Sequence, residues 1–122
     1  MTRAPLSVTL FLVACSTPVS LAQGQVGVGA LPPTLQVTNH TSLPVFTFII
    51  ESGAAARTDW LPCRDPVRCA AIAPGATAPV PYTEIKSYST AAREAIVYWW
   101  HLVPTSGGFF QPDSIQAQVV AL

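Results

Sequence analysis

Ala95-Ile96-Val97-Tyr98-Trp99-Trp100-His101-Leu102-Val103 is the stretch on which the fold turns. Nine residues without a Gly, Pro or formal charge, dense in β-branched and aromatic side chains, suit a strand inside a sheet. Alternation sets Ile96, Tyr98, Trp100 and Leu102 on one face and Val97, Trp99, His101 and Val103 on the other. Both faces are apolar, so both must be covered. Adjacent tryptophans cannot share one core, and in a two-layer protein one of them faces outward.

The flanking sequence repeats this pattern in shorter pieces. Leu35 to Asn39 alternates as a half-buried strand does, and Asn39 to Ser42 turns. Val45 to Glu51 (VFTFIIE) suits a central strand, with Phe46, Phe48 and Ile50 on one face and Val45, Thr47 and Ile49 on the other. Ser52 to Ala56 interrupts it. Arg57 to Ala73 is a long connection in which Pro62 and Pro66 exclude a central strand. Ala73-Pro74-Gly75-Ala76 has the Pro-Gly order of a type II turn. The prolines of Ala78 to Tyr82 place that extended segment on an edge. Ile85 to Ala95 has no single clear period, and a short helical turn around Thr90 to Glu94 is one reading of it. Ser114 to Ala121 alternates again, with Ile115, Ala117, Val119 and Ala121 expected inward and Gln116 and Gln118 outward.

Short strands, frequent Pro and Gly turns, and 12 prolines that a small helical domain could not place predict an all-β fold. The expected form is a small antiparallel β-sandwich of immunoglobulin-like size over residues 34–122, with one short-range disulfide loop.

The N-terminus reads differently. Arg3 precedes an uncharged apolar run, and the next charge is Glu51. A basic start, a short apolar core and then small residues make a secretory signal peptide over residues 1–22. The run is too short and too interrupted for a membrane span of about 20 apolar residues. Two processing sites compete. Ser20-Leu21-Ala22 suits cleavage before Gln23, whereas Leu12-Val13-Ala14-Cys15 resembles a bacterial lipobox, in which Cys15 would carry a lipid anchor. Residues 23–33 (QGQVGVGALPP) read as a flexible, Gly-rich leader ending in a stiff Pro-Pro.

Either route leaves Cys63 and Cys69, which should pair in an oxidising periplasmic or extracellular compartment. Closing so short a loop stabilises by about 2–2.5 kcal/mol in the chain-entropy account. The part after Ala22 carries Arg57, Arg64, Arg68, Lys86 and Arg93 against Glu51, Asp59, Asp65, Glu84, Glu94 and Asp113. That balance argues against nucleic acid and against electrostatic attachment to anionic lipid.

The layout of Val37 to Thr41 (V-x-N-x-T), a strand, Asp59-Trp60, Ile72-Ala73-Pro74-Gly75 and Val80-Pro81-Tyr82 resembles small secreted bacterial β-sandwich proteins of unassigned function. The resemblance covers roughly Leu35 to Tyr82. It implies the sandwich and carries no activity.

Motifs of catalysis are missing. There is no Gly-x-Ser-x-Gly, and Gly24 to Gly29 neither follows a strand nor opens a helix as a phosphate loop does. His40 and His101 are the only histidines, 61 positions apart, and no cofactor or metal is expected. A hydrolase built on His101 with a nearby Ser or Thr is the weakest reading. Asn39-His40-Thr41 fits a glycosylation sequon, but Asn also suits that turn on its own account.

Binding is therefore the expected function, either of a protein or of a carbohydrate partner, in the cell envelope or outside it. Trp60 and Trp99 are the aromatic candidates. An outward Trp either stacks on a ligand or is covered by the Arg57–Ala73 connection against Trp60. Arg64 and Arg68 are the loop candidates, since a disulfide-braced loop costs little to order and is the device of small secreted inhibitors.

Overall fold

The computed structural model of the chain describes residues 25–122. The expected signal segment, both expected processing sites and Cys15 lie outside the described residues.

Eight strands form in chain order: β1 (Val26–Leu31), β2 (Thr34–Asn39), β3 (Phe46–Glu51), β4 (Thr77–Pro81), β5 (Glu94–Trp100), β6 (Leu102–Pro104), β7 (Phe110–Pro112) and β8 (Gln116–Ala121). They make two three-stranded antiparallel sheets, β1-β2-β4 and β3-β5-β8, and a separate β6-β7 hairpin. Val26, Leu35 and Val37 of the first sheet meet Val45, Ile49, Ala95, Val97 and Trp99, on the side of the second, in one buried cluster. This is the two-layer architecture that alternating strands require.

Glu51 ends β3 and caps the one-turn helix α1 (Ser52–Ala55), its carboxylate accepting from the N–H groups of Gly53 and Ala54 at 2.8 and 2.9 Å. A short 3-10 turn follows β4 at Tyr82–Glu84. Gly75 sits at φ +81°, and Ala76 N–H donates to Ala73 at 3.0 Å, as the Pro-Gly turn requires.

The two prolines of β4 have a specific role. Asn39 N–H donates to Ala76 O and Asn39 O accepts from Gly75 N–H, so the odd-numbered positions of β2 face β4. In the register Leu35–Val80 and Val37–Ala78, the backbone of Pro79 and Pro81 then points away from the sheet. Proline has no N–H to leave unpaired there, and it blocks a further strand.

Three expectations are corrected. The segment read as a flexible leader is strand β1 from Val26 to Leu31, paired along its length with β2. Pro32-Pro33 is no stiff extended approach: it is a cis peptide that turns β1 into β2 within two residues. Pairing in a tight hairpin overrides the poor strand propensity of Gly27 and Gly29. The third correction concerns β8, whose faces are reversed. Val120 packs against the core and the Gln118 amide reaches inward to the Val26 carbonyl, while Val119 is 63% exposed. An inward Gln is tolerated because that carbonyl satisfies it.

Candidate functional site

The outer face of the second sheet carries Phe48, Tyr98 and Trp100, and the Arg57–Ala73 connection lays Trp60 over them. Trp60 stacks on Phe48 with ring centroids 4.5 Å apart and 17° between planes. It lies 4.8 Å from Tyr98 and 5.7 Å from Trp100. Offset and tilted contacts of this kind add about 0.5–1.5 kcal/mol per pair beyond the area they bury. Trp100 is buried, and its indole N–H donates to the Cys63 carbonyl at 3.2 Å. The aromatic cluster thus holds the first cysteine of the loop directly.

Cys63 and Cys69 are joined by a disulfide, Cα atoms 6.0 Å apart. Within the loop, Asp65 organises the backbone. Its carboxylate accepts from Val67 N–H at 2.9 Å, and its carbonyl accepts from Arg68 and Cys69 N–H at 3.2 and 2.9 Å. Pro66-Val67-Arg68 is therefore a closed turn. Arg68 also meets Asp65 at 3.6 Å, an exposed pair of small energetic weight. Arg64 is exposed and projects from the same loop.

The β6-β7 hairpin stands opposite. Gly107 and Gly108 turn it with φ of +94° and +82°, a backbone only glycine adopts freely. Phe109 and Phe110 follow at once and are 74% and 37% exposed. Between this tip and the disulfide loop lies an open cleft of about 610 Å³ lined by Cys63 to Arg68 and Gly108 to Phe110. Val67 adds apolar surface to that lining and is 89% exposed.

The base of the hairpin is fixed by a polar relay. Asp113 accepts from His101 N–H at 2.9 Å, its other oxygen meets His101 Nδ1 at 2.9 Å, and Asp113 N–H donates to His101 O at 3.0 Å. His101 Nε2 lies 2.9 Å from Thr41 Oγ1. Thr41 in turn meets Asn39 Oδ1 at 2.6 Å and Leu43 O at 3.0 Å. Asn39 is fully buried, donating to Leu43 O and Ile72 O at 2.8 Å each and accepting from Thr41 N–H at 2.8 Å. Every polar atom of this side chain is used, so the sequon asparagine is an internal strut.

Hydroxyl, imidazole and carboxylate in line resemble a nucleophile with its base and orienting group. A nucleophile must be open to substrate. Thr41 is 9% exposed, and its single hydroxyl proton has the acceptors Asn39 Oδ1 and Leu43 O already in reach. The relay ties the β6-β7 hairpin to the Asn39 corner. Among the described residues, no three His, Cys, Asp or Glu side chains gather as metal ligands would.

Of the binding residues expected from sequence, Trp60, Arg64 and Arg68 lie on the connection that builds this site. Trp99 does not. It is 8% exposed and points into the shared core beside Val97, because the odd-numbered face of β5 is the inward one. The outward tryptophan is Trp100, and the connection covers it. Phe109 and Phe110 went unrecognised, although two aromatics directly after a Gly-Gly turn are a signal of exposed apolar side chains.

No protein-family model matches this chain, and neither a curated protein nor a solved structure does. No helix among the described residues is long and apolar enough to cross a membrane.

Proposed function

We propose that the chain is an exported, non-catalytic binding module that recognises a partner protein through the cleft between the disulfide loop and the β6-β7 hairpin. The observation that carries this reading is the exposure of Phe109 and Val67 on two braced elements facing one opening. Exposed aromatics on pre-ordered backbone bind at low entropic cost. Arg64 at the rim suits a carboxylate on the partner, and Arg68, 86% exposed in a weak pair with Asp65, is free to turn to the same group. The partner segment is therefore an apolar side chain next to Asp or Glu.

Two features favour this over the other binding modes. Trp60 stacks on Phe48 and also packs against Tyr98 and Trp100 at 4.8 and 5.7 Å, so its ring is built into the cluster and not offered as a sugar platform. The Pro66-Val67-Arg68 tip is a closed turn, whereas a loop inserted into a protease cleft presents extended backbone. Secretion is supported by the signal-like N-terminus and by the disulfide, which persists in oxidising compartments.

Selection of a random displayed-peptide library on the immobilised, oxidised protein tests the proposal. Enriched peptides should pair an aromatic or aliphatic residue with an acidic one. Phe109→Ala should weaken them about 30-fold, the loss typical of a binding hot spot. Peptides that bind Phe109→Ala and Arg64→Ala as tightly as the parent would refute it, as would a selection that enriches nothing.

A further inference from the structure

The two sheets have four free edges, and they are not equally protected. Pro79 and Pro81 block β4. On β3, Ile72 exchanges both backbone bonds with Val45 at 2.8 and 3.0 Å. Further along that strand, Lys86 donates to Ile49 O at 3.0 Å and accepts from Glu51 N–H at 2.9 Å. On β1, the Val26 carbonyl takes the Gln118 amide, and among the described residues the outward groups of Val28 and Ala30 stay unpaired on a strand that Gly27 and Gly29 weaken as a pairing edge.

The outer edge of β8 carries no such device. Leu122 N–H donates to Arg93 O at 2.9 Å, which sets the even-numbered positions of this strand toward β5. The backbone N–H and C=O groups of Ala117, Val119 and Ala121 therefore point away from the sheet. Among the described residues none of these six groups has a hydrogen-bond partner. From Gln116 to Ala121 the strand contains no charge, no proline and no glycine, so it lacks the usual protection of an exposed edge.

We infer that β8 is a dimerisation edge and that its occupant is a second copy of this chain, joined antiparallel about a two-fold axis at Val119. The argument is self-complementarity. With Val119 opposite Val119 of the second copy, Ala117 falls opposite Ala121, and every outward-facing residue meets another outward-facing residue. Antiparallel partners of this class exchange both backbone bonds, so all six unpaired groups are satisfied at once. The facing side chains on the solvent side are alanines and valines, small enough to sit directly opposite and free of like-charge repulsion. The two three-stranded sheets β3-β5-β8 become one six-stranded sheet, and two-fold closure uses up the edge without leaving another to grow. One strand pair buries less than the roughly 1,200 Å² of a stable interface, so association is weak and depends on concentration.

Val119→Pro is the discriminating variant. It removes an N–H that bonds nothing within the chain, at a position equivalent to those where β4 already holds proline. Val119→Lys adds a charge to a side chain that is already 63% exposed. Sedimentation velocity of the oxidised parent protein over about 5–500 μM should show a monomer–dimer equilibrium with a Kd on the order of 10–100 μM. Both variants should remain monomeric across that range, a loss of at least about tenfold in affinity. Hydrogen exchange of the parent gives a reading that needs no variant: the Val119 and Ala121 amides should gain protection as concentration rises, while the amides of β1 do not. A parent monomeric at the highest concentration would overturn the inference. So would a dimer unchanged by Val119→Lys, or one in which the β8 amides stay unprotected.

Discussion

Replacing Trp60 by alanine should separate the outer aromatic cluster from the core of the sandwich. The ring is half-buried and touches Phe48, Tyr98 and Trp100 at centroid distances of 4.5, 4.8 and 5.7 Å. A fully buried Trp→Ala change costs about 3–5 kcal/mol, and half-burial with three aromatic contacts brings this to about 2–3 kcal/mol. For a domain of this size each kcal/mol moves Tm by about 4–8 °C, so the expected fall is roughly 10–20 °C. Trp60→Phe keeps a stacked ring and should lose under about 1 kcal/mol. Differential scanning calorimetry of the oxidised proteins gives the numbers. Hydrogen exchange locates the change: the Arg68 and Cys69 amides should open in Trp60→Ala while the Val97 amide keeps its protection. A Tm lowered by less than about 3 °C would refute the reasoning, because contacts of this geometry would then contribute nothing.

Other parts of the structure give sharp expectations. Asn39→Asp exchanges a donor of two internal bonds for a carboxylate facing the Leu43 and Ile72 carbonyls, and should cost about 3 kcal/mol or more in urea denaturation. Asp113→Ala removes both carboxylate contacts to His101 and should destabilise by about 1–3 kcal/mol, with increased exchange at Thr105 in the hairpin. Cys63→Ser with Cys69→Ser should lower stability by about 2 kcal/mol and, if the cleft binds as proposed, weaken selected peptides more than it weakens the fold. Trp100→Phe loses the indole bond to Cys63 and leaves a void at a residue only 1% exposed, and should cost about 2–3 kcal/mol, with the loop amides loosening most.

The sequence made some of this legible because the signals were local. β-branched runs marked β3 and β5, Pro74-Gly75 marked its turn, and the closely spaced Cys63 and Cys69 marked the disulfide. The edge position of β4 followed from its prolines, and the structure adds that both sit where an N–H would otherwise face solvent. What stayed hidden was set by distant partners. β1 has two glycines and forms because β2 lies one tight turn away. The parity of β8 depends on Gln118 reaching Val26, 92 positions earlier. Alternation showed that Trp99 and Trp100 face opposite ways, but only the packing of the first sheet decides which face is core. Trp60, Arg64 and Arg68 lie on the connection that lines the cleft, whereas Trp99 lies on the inward face of its own strand. The hairpin half of the cleft depends on Asp113 finding His101, a contact no short motif announces.

Proton NMR of the tryptophan side chains tests most directly whether the connection really docks on the sheet and builds the cleft. Cross-relaxation should appear between the Trp60 ring and the rings of Phe48 and Tyr98, and the Trp100 indole N–H should exchange slowly beside the Cys63–Arg64 backbone. A Trp60 ring without those contacts, together with a Trp100 indole exchanging as fast as free tryptophan, would contradict the account.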